Sequence, residues 1–149
     1  MKPLLMESLT VFGTLNSLEM IAKYVKEAAV VAGLDKKASY NLRLAVEEIA
    51  TNIIVYGYQE TGREGVLDLR VSIDEQALSL SIEDTSEAFN PFHKLNVEEE
   101  QVHLPIEQRP IGGLGLYLVI HGVDKFLYER VGDRNRNILV VNLPNKKDY

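Results

Sequence analysis

The chain has 149 residues, 46% hydrophobic and 26% charged, a size and balance typical of a single globular domain spanning residues 1–149. Its formal net charge of −6 argues against a nucleic-acid-binding surface, because phosphate backbones are bound by clustered positive charge. The absence of cysteine excludes disulfides and thiolate chemistry and fits a reducing cytoplasm, and no apolar run approaches the roughly 20 residues that span a bilayer.

The first part of the chain is predicted to contain one strand and two helices. The short apolar segment from Leu5 to Val11 predicts the strand. Apolar residues then recur at helical spacing, which predicts a helix capped by Asn16 or Ser17 and running to about Ala32. A second buried stripe predicts a helix from Lys36 to about Val55, followed by a glycine-containing loop.

A hairpin and a long loop are predicted next. Alternating apolar residues predict two strands, from Val66 to Ile73 and from Leu78 to Ile82, joined by a turn at 74–76. From Thr85 to Ile111 there is no periodicity, and three prolines discourage regular structure. We therefore expect a long irregular loop, of the kind that is usually functional or mobile.

The last part of the chain predicts a short helix and a second hairpin. The helix begins at a glycine-rich turn and covers Gly112 to Ile120, and the hairpin pairs Lys125 to Val131 with Ile138 to Leu143. Helices are too few to cover both faces of the sheet. The predicted fold is therefore α+β, a two-layer sandwich in which a mixed or antiparallel sheet carries helices on one face.

The first candidate site lies on the second helix. Glu48 and Asn52 are four residues apart, so a carboxylate and a carboxamide share one face of the helix. The carboxylate is suited to accepting a proton from a hydroxyl, and the amide oxygen is a hard ligand of the kind that Mg²⁺ prefers. Taken alone, the pattern fits a solvent-facing helical stripe at least as well.

The second candidate is Asp84, at the end of a predicted strand. An aspartate at this point is placed to accept a hydrogen bond from an amino group deep in a pocket. The alternative is an Asx-type turn that closes the strand. The residue types alone do not choose between them.

The third candidate is the glycine-rich turn formed by Gly112, Gly113 and Gly115, followed by Leu116 at the start of an apolar helix. Glycines allow the backbone to approach a ligand closely, and a helix N-terminus offers free N–H groups, so the pattern favours phosphate binding over a merely tight turn. Arg109 lies just before the turn and is a candidate donor to a terminal phosphate, with a solvated loop residue as the alternative.

The histidines do not predict a metal site. His93 and His103 flank the acidic run 98–100, and we expect that run to be solvated. His121 is expected to have a structural role.

The three candidate segments occur in the order found in the gyrase/histidine-kinase-type (GHKL) ATPases. The segments AVEEIATNIIVYGY, DTSEAFNP and GGLGLYLV resemble that family, and the tail VDKFLYERVGDRNRNILVV resembles its closing hairpin. The likeness covers roughly residues 7–143 and is greatest to the small bacterial anti-sigma-factor serine kinases and related switch proteins.

The resemblance implies a role for each candidate residue. Glu48 matches the general base, Asn52 the Mg²⁺ ligand and Asp84 the residue that binds the adenine amino group. The phosphate-binding turn matches Gly113 and Gly115 with Gly112 beside them, and the family's ATP lid corresponds to about 92–111. The implied ligands are ATP and Mg²⁺.

The resemblance also implies protein partners. Kinases of this branch phosphorylate a serine on a small antagonist protein and thereby control which regulator, such as a sigma factor, they hold. Neither the partner nor the oligomeric state is given by the sequence, and a homodimer stays open. No nucleic-acid or membrane partner is expected.

One departure from the family pattern leaves two functions open. Ser86 and Ala88 stand where the second motif carries glycines. The first hypothesis is an ATP- and Mg²⁺-dependent serine-protein kinase. The second is a non-catalytic partner-switching module with a degenerate nucleotide site. The isolated ATPase domain of a sensor histidine kinase is disfavoured, since no phospho-acceptor helix pair precedes the motifs.

Overall fold

A computed structural model describes residues 3–108 and 114–144, in which six strands form one antiparallel sheet. The sheet order is β1-β3-β4-β6-β5, and β2 also pairs with β3. The strands are β1 (Leu4–Leu5), β2 (Leu9–Phe12), β3 (Val66–Ile73), β4 (Ala77–Asp84), β5 (Lys125–Val131) and β6 (Arg134–Asn142).

Four α-helices accompany the sheet in the described ranges: α1 (Leu18–Ala32), α2 (Lys36–Asn52), α3 (Pro91–Val102) and α4 (Gly115–Ile120). Alternate residues of β3, β4 and β6 are buried with the apolar stripes of α1 and α2 and form the core between the two layers. Sheet residues between them, such as Arg70 and Ser79, are more exposed. The α+β prediction is thus confirmed, and the sheet is antiparallel rather than mixed.

The ends of α1 and α2 follow their local sequence. Gly33 ends α1 with φ of 74°, a left-handed conformation that glycine adopts without steric cost. Asp35 precedes α2, and its side chain accepts a hydrogen bond from the Ala38 N–H at 2.8 Å.

A seven-residue π-helix, Ile53–Gln59, follows α2 directly, where the sequence predicted the end of the helix and a loop. The wider turn places Ile53, Ile54 and Tyr58 inside the protein. The Tyr58 hydroxyl donates to the Val66 carbonyl at 2.8 Å and accepts from the Thr85 N–H at 3.0 Å. Tertiary contacts of Tyr58 therefore support a helix that local propensity does not predict.

The N-terminal strand is interrupted. Leu5 pairs with Ser72 and Leu9 pairs with Leu69, so β1 and β2 follow β3 with one extra residue between them, as in a β-bulge. The final hairpin also differs from its prediction, because β6 begins at Arg134 rather than at residue 138. This strand begins with polar residues, and one of them, Arg136, pairs with Glu83 on β4.

The region predicted to be an irregular loop contains α3. Pro91 occupies the first turn of this helix, and the Asn90 side chain caps it by accepting from the Phe92 N–H at 3.0 Å. Proline is well tolerated at this position, since the first N–H groups of a helix have no intrahelical partner. The predicted loop was therefore wrong over Pro91–Val102. A 3₁₀ turn follows at Ile106–Gln108.

The described part of the chain contains no helix long and apolar enough to cross a membrane.

Candidate functional site

Glu48 and Asn52 lie on the last two turns of α2 and are half-buried. The Glu48 carboxylate reaches the first residue of α4. A Cβ built on Gly115 would lie 2.6 Å from Glu48 Cδ and 2.8 Å from Oε2, closer than such contacts occur. Glycine at 115 therefore makes room for this carboxylate.

Asp84 ends β4 with only 2% of its surface exposed. Its Oδ1 accepts from the Ser86 N–H at 3.0 Å, the Ser86 hydroxyl at 2.5 Å and Asn135 Nδ2 at 3.0 Å. Its Oδ2 is buried and has no hydrogen-bond partner among the described residues. The two interpretations of Asp84 are therefore compatible. Oδ1 closes the turn after β4, and Oδ2 is left for a hydrogen bond from a ligand.

A pocket with a cavity volume of about 120 Å³ lies between the C-terminal end of α2, the π-helix and the ends of β4 and β6. Asn52, Asp84 and Ser86 contribute to its wall. This volume is below the roughly 300–1,000 Å³ that is usual for small-molecule sites, so in this conformation the pocket encloses only part of a nucleotide-sized ligand. The unpartnered Asp84 oxygen thus belongs to a residue of this wall.

Asn137 is a wall residue that the sequence did not single out. Its side chain is 4% exposed, and its Oδ1 also lacks a partner among the residues described. It lies on β6 two residues after Asn135, at positions of the strand that face inward. A polar residue at an inward position of an alternating strand was the available signal, because buried polar atoms are normally hydrogen-bonded.

Asn135 holds the segment after β4 in place. Its Nδ2 donates to Asp84 Oδ1, and to the Glu87 carbonyl at 2.9 Å. Its Oδ1 accepts from the Phe89 N–H at 3.2 Å and from the Tyr128 hydroxyl at 2.5 Å. These contacts fix the turn that carries the departures from the family pattern.

Ser86 is buried and Ala88 is exposed. Ser86 lies against Gly57 of the π-helix, where a Cβ would come within 2.8 Å of its hydroxyl oxygen. The described residues include no non-glycine residue with positive φ, so Ser86 and Ala88 need no left-handed backbone here. The serine side chain uses space next to a glycine and bonds to Asp84.

The glycine-rich turn is described only in part. Arg109, Gly112 and Gly113 lie outside the described residues, so the roles implied for them remain predictions. Gly115 begins α4, and Leu116 is buried. The Leu116 N–H donates to Glu98 Oε1 on α3 at 3.2 Å.

Two charged residues of α3 reach the same region. Lys94 Nζ donates to Asn52 Oδ1 at 3.1 Å and lies 4.6 Å from the centre of the Tyr56 ring. Glu98 is 2% exposed, and its Oε2 has no partner in the described parts of the chain. The acidic run 98–100 was predicted to be solvated. That prediction was wrong for Glu98, because α3 packs its inner face against α4.

Burial raises the pKa of the Glu98 carboxyl. Lys94 and the N–H groups of Tyr117 and Leu116 oppose this shift, and the Glu48 carboxylate adds to it. The charges of two carboxyl groups, one from α2 and one from α3, therefore interact unfavourably.

The three histidines do not form a metal site. His93 and His103 are exposed, and His121 makes an edge contact with the Tyr117 ring at 5.1 Å. In residues 3–108 and 114–144, no three or more His, Cys, Asp and Glu side chains cluster as metal ligands.

A single residue such as Asn52 can be enough to bind Mg²⁺ beside a nucleotide, without a cluster of protein ligands. Mg²⁺ in nucleotide sites keeps several waters and takes one or two protein oxygens beside the phosphates. The Asn52 amide oxygen is half-buried, borders the pocket and already accepts from a cation, the Lys94 ammonium. Its surroundings thus tolerate positive charge at this atom.

Comparison with known proteins gives one family and several relatives. The family described as "Histidine kinase-like ATPase domain" matches residues 13–142. The serine-protein kinase RsbW of Bacillus mycoides (strain KBAB4) is 30% identical over 80 residues, which are 53% of this chain and 49% of that protein. RsbW of Bacillus licheniformis is 26% identical over 102 residues, 60% of each chain. The chain thus spans about half to three-fifths of the length of these curated relatives.

A solved structure shares the fold. The histidine kinase domain of the blue-light-activated histidine kinase EL346 from Erythrobacter litoralis matches with a TM-score of 0.52 and 15% sequence identity. The match covers 86% of this chain and 60% of that one. With residues 13–142 matched, this chain belongs to the histidine kinase-like ATPase domain family, the GHKL ATPases.

Proposed function

We propose that this chain binds ATP with Mg²⁺ and acts as a serine-protein kinase of the anti-sigma-factor type. The observation that carries the proposal is Asp84: a buried carboxylate in a pocket wall with one oxygen held and the other without a partner among the described residues. An unpaired buried acceptor costs about 1–3 kcal/mol, and a ligand amino group such as that of adenine would satisfy it.

Asn52 connects this pocket to the reacting end of the nucleotide. It borders the pocket that contains Asp84, and Glu48 lies one helical turn earlier on α2. ATP placed with its base on Asp84 would direct its phosphates toward Asn52 and the start of α4. Mg²⁺ held by Asn52 would neutralise phosphate charge, which is the main requirement of phosphoryl transfer.

Glu48 is the proposed general base. It also borders an open groove between α1, α2 and α4, whose wall includes Leu18 and Val119. An acceptor hydroxyl therefore has a route to the carboxylate that does not pass through the pocket at Asp84. We propose that the acceptor is a serine on a small antagonist protein, and that this phosphorylation decides whether the kinase holds a regulator of the sigma-factor type.

The alternative is a partner-switching module without catalysis, which Ser86 and Ala88 motivate. The hydrogen bond from Ser86 to Asp84 Oδ1 supports the kinase instead, because it leaves Oδ2 free. Ala88 is exposed. An unsatisfied buried carboxylate oxygen destabilises the fold, and only a bound ligand would offset that cost.

Calorimetric titration with ATP, in Mg²⁺ and in EDTA, tests the proposal. We expect micromolar binding that Mg²⁺ strengthens. Asp84→Asn should raise the Kd about 10- to 100-fold, because a hydrogen bond to a charged group contributes about 1.5–3 kcal/mol and each 1.4 kcal/mol is a factor of ten.

Asp68→Asn is the matched control. Asp68 is a second aspartate of the sheet with low exposure, and it pairs with Arg70 rather than lining the pocket. It should leave the Kd for ATP unchanged. Absence of ATP binding by the unmodified chain would favour the partner-switching module. Equal ATP binding by both variants would mean that the adenine does not contact Asp84.

A further inference from the structure

The helix α3 places its own charges on the atoms proposed to bind Mg²⁺ and phosphate. Lys94 and Glu98 are four residues apart and share one face of α3, as Glu48 and Asn52 share one face of α2. The ammonium of Lys94 contacts Asn52 Oδ1, and the carboxylate of Glu98 accepts from the Leu116 N–H. A cation thus stands at the proposed metal ligand, and an anion stands at the proposed phosphate turn.

We propose that α3 is an internal competitor of Mg·ATP, with Lys94 standing in for the metal ion and Glu98 for a phosphate, so that nucleotide binding requires α3 to withdraw. The inference rests on the proposed function, and it assigns a regulation to that same site. One amide oxygen has little room for both an ammonium at 3.1 Å and a metal ion. The Leu116 N–H likewise serves one acceptor at a time.

Three kinds of contact hold α3 in place: an aromatic pair, a core contact and a helix cap. The Phe92 ring contacts the Phe126 ring of β5 with their centres 5.1 Å apart, and Leu95 packs against the core. The Asn90 cap fixes the first turn. These contacts are enough to keep the helix on the site when no ligand is present.

Other features make this arrangement easy to displace. Glu98 Oε2 is buried and has no partner among the residues that the structure describes, and the negative charge of Glu48 acts unfavourably on the Glu98 carboxylate. Val97 and the remaining glutamates of the run, Glu99 and Glu100, are exposed. Withdrawal of α3 would return Glu98 to water and separate the two carboxylates, which offsets part of the cost of opening.

The competitor acts on only one end of the nucleotide. Lys94 and Glu98 do not line the pocket that contains Asp84. A ligand with a base but no phosphates should therefore bind without moving α3. This separates the inference from the proposed function, since adenosine reports on the pocket alone and Mg·ATP reports on the pocket together with α3.

The test compares the unmodified chain, the double variant Lys94→Ala with Glu98→Ala, and the control Glu99→Ala, which removes an exposed charge from the same helix. Each is titrated with Mg·ATP and, separately, with adenosine. If the closed form holds about 90–99% of the molecules, its loss raises the apparent affinity for Mg·ATP about 10- to 100-fold. Adenosine affinity should stay the same, and Glu99→Ala should match the unmodified chain.

Hydrogen exchange on the unmodified chain gives a second reading that needs no variant. We expect Mg·ATP to speed exchange at the amides of 94–102 and adenosine to leave them unchanged. Weaker or equal Mg·ATP binding by the double variant, or slower exchange of α3 with Mg·ATP, would overturn the competitor and make these residues nucleotide contacts. If no form of the chain binds either adenosine or Mg·ATP, the proposed function is overturned, and the inference falls with it.

Discussion

The Glu48 carboxylate lies where a side chain on residue 115 would otherwise be. Glu48 belongs to α2 and Gly115 to α4, and the two helices pack closely at this point. The glycine that the sequence associates with phosphate binding thus also sets the position of the proposed base. A base must lie within hydrogen-bond reach of its proton, so small shifts of this carboxylate matter.

Gly115→Ala should therefore impair turnover far more than stability. The new Cβ would meet the end of a flexible side chain, which moves at little cost to folding. Displacing the base by about 1 Å can cost about 10²-fold in rate. We expect ADP formation from ATP to slow toward the level of Glu48→Gln, with unfolding by urea nearly unchanged.

Gly33→Ala is the control for the effects of Gly115→Ala on turnover and on stability. Gly33 has open space around it but a φ of 74°, so alanine there should cost about 1–2 kcal/mol of stability and leave turnover intact. Turnover by Gly115→Ala at the unmodified rate would show that Glu48 is not the base or does not act from this position.

At the scale of the elements, the π-helix Ile53–Gln59 connects the end of α2 that carries Asn52 to the strand that carries Asp84. Tyr58 provides the link, since its hydroxyl bonds both to Val66 on β3 and to the Thr85 N–H just after β4. Thr85 is the neighbour of Asp84. The π-helix therefore supports the turn on which the orientation of the aspartate depends.

Tyr58→Phe should lower both stability and ATP affinity. It leaves the Thr85 N–H and the Val66 carbonyl without their partner, which costs about 1–3 kcal/mol. It also loosens the turn beside Asp84, so the Kd for ATP should rise. Urea unfolding and calorimetry on the same preparation measure the two effects.

Tyr24→Phe is the control that separates the loss of stability from the loss of ATP affinity. Tyr24 is also buried, and its hydroxyl donates to the Glu7 carbonyl at 2.9 Å, away from the pocket. It should lose stability and keep its ATP affinity. If both variants lose stability and neither loses affinity, the π-helix has a purely structural role.

The elements also show which parts of the fold the sequence could predict. α1, α2 and the first hairpin carry clear apolar periodicity and cap residues, and their positions were predicted to within a few residues. α3 has a weak apolar stripe and follows two residues, Asn90 and Pro91, that also occur in turns. The same pair is a cap followed by a first-turn proline, and that signal was available.

Candidate site residues could be found in the sequence where local spacing brings their side chains together. Glu48 and Asn52 are brought together by one helix, and Asp84 lies at the end of one strand, so spacing made them candidates and the resemblance to the GHKL ATPases gave them roles. Lys94 and Glu98 were not predictable. Their importance comes from contacts with Asn52 and Leu116, which only the packing of α3 creates.

At the scale of the whole molecule, the proposed site is assembled from segments far apart in sequence on one layer boundary. In this proposal α2 supplies the base and the metal ligand, β4 the buried acceptor, and α4, through Gly115, the end of the phosphate turn, all on the helical side of the sheet. The opposite face of the sheet contributes nothing to the site. Ligand binding should therefore depend on the integrity of the entire fold.

The most direct test of the account is a crystal structure of the chain with a non-hydrolysable ATP analogue and Mg²⁺. We predict that the adenine amino group donates to Asp84 Oδ2, that Mg²⁺ is bound by Asn52 Oδ1, and that Lys94 and Glu98 have left their contacts with Asn52 and Leu116. A nucleotide bound outside this pocket, or one whose base does not contact Asp84, would contradict the account.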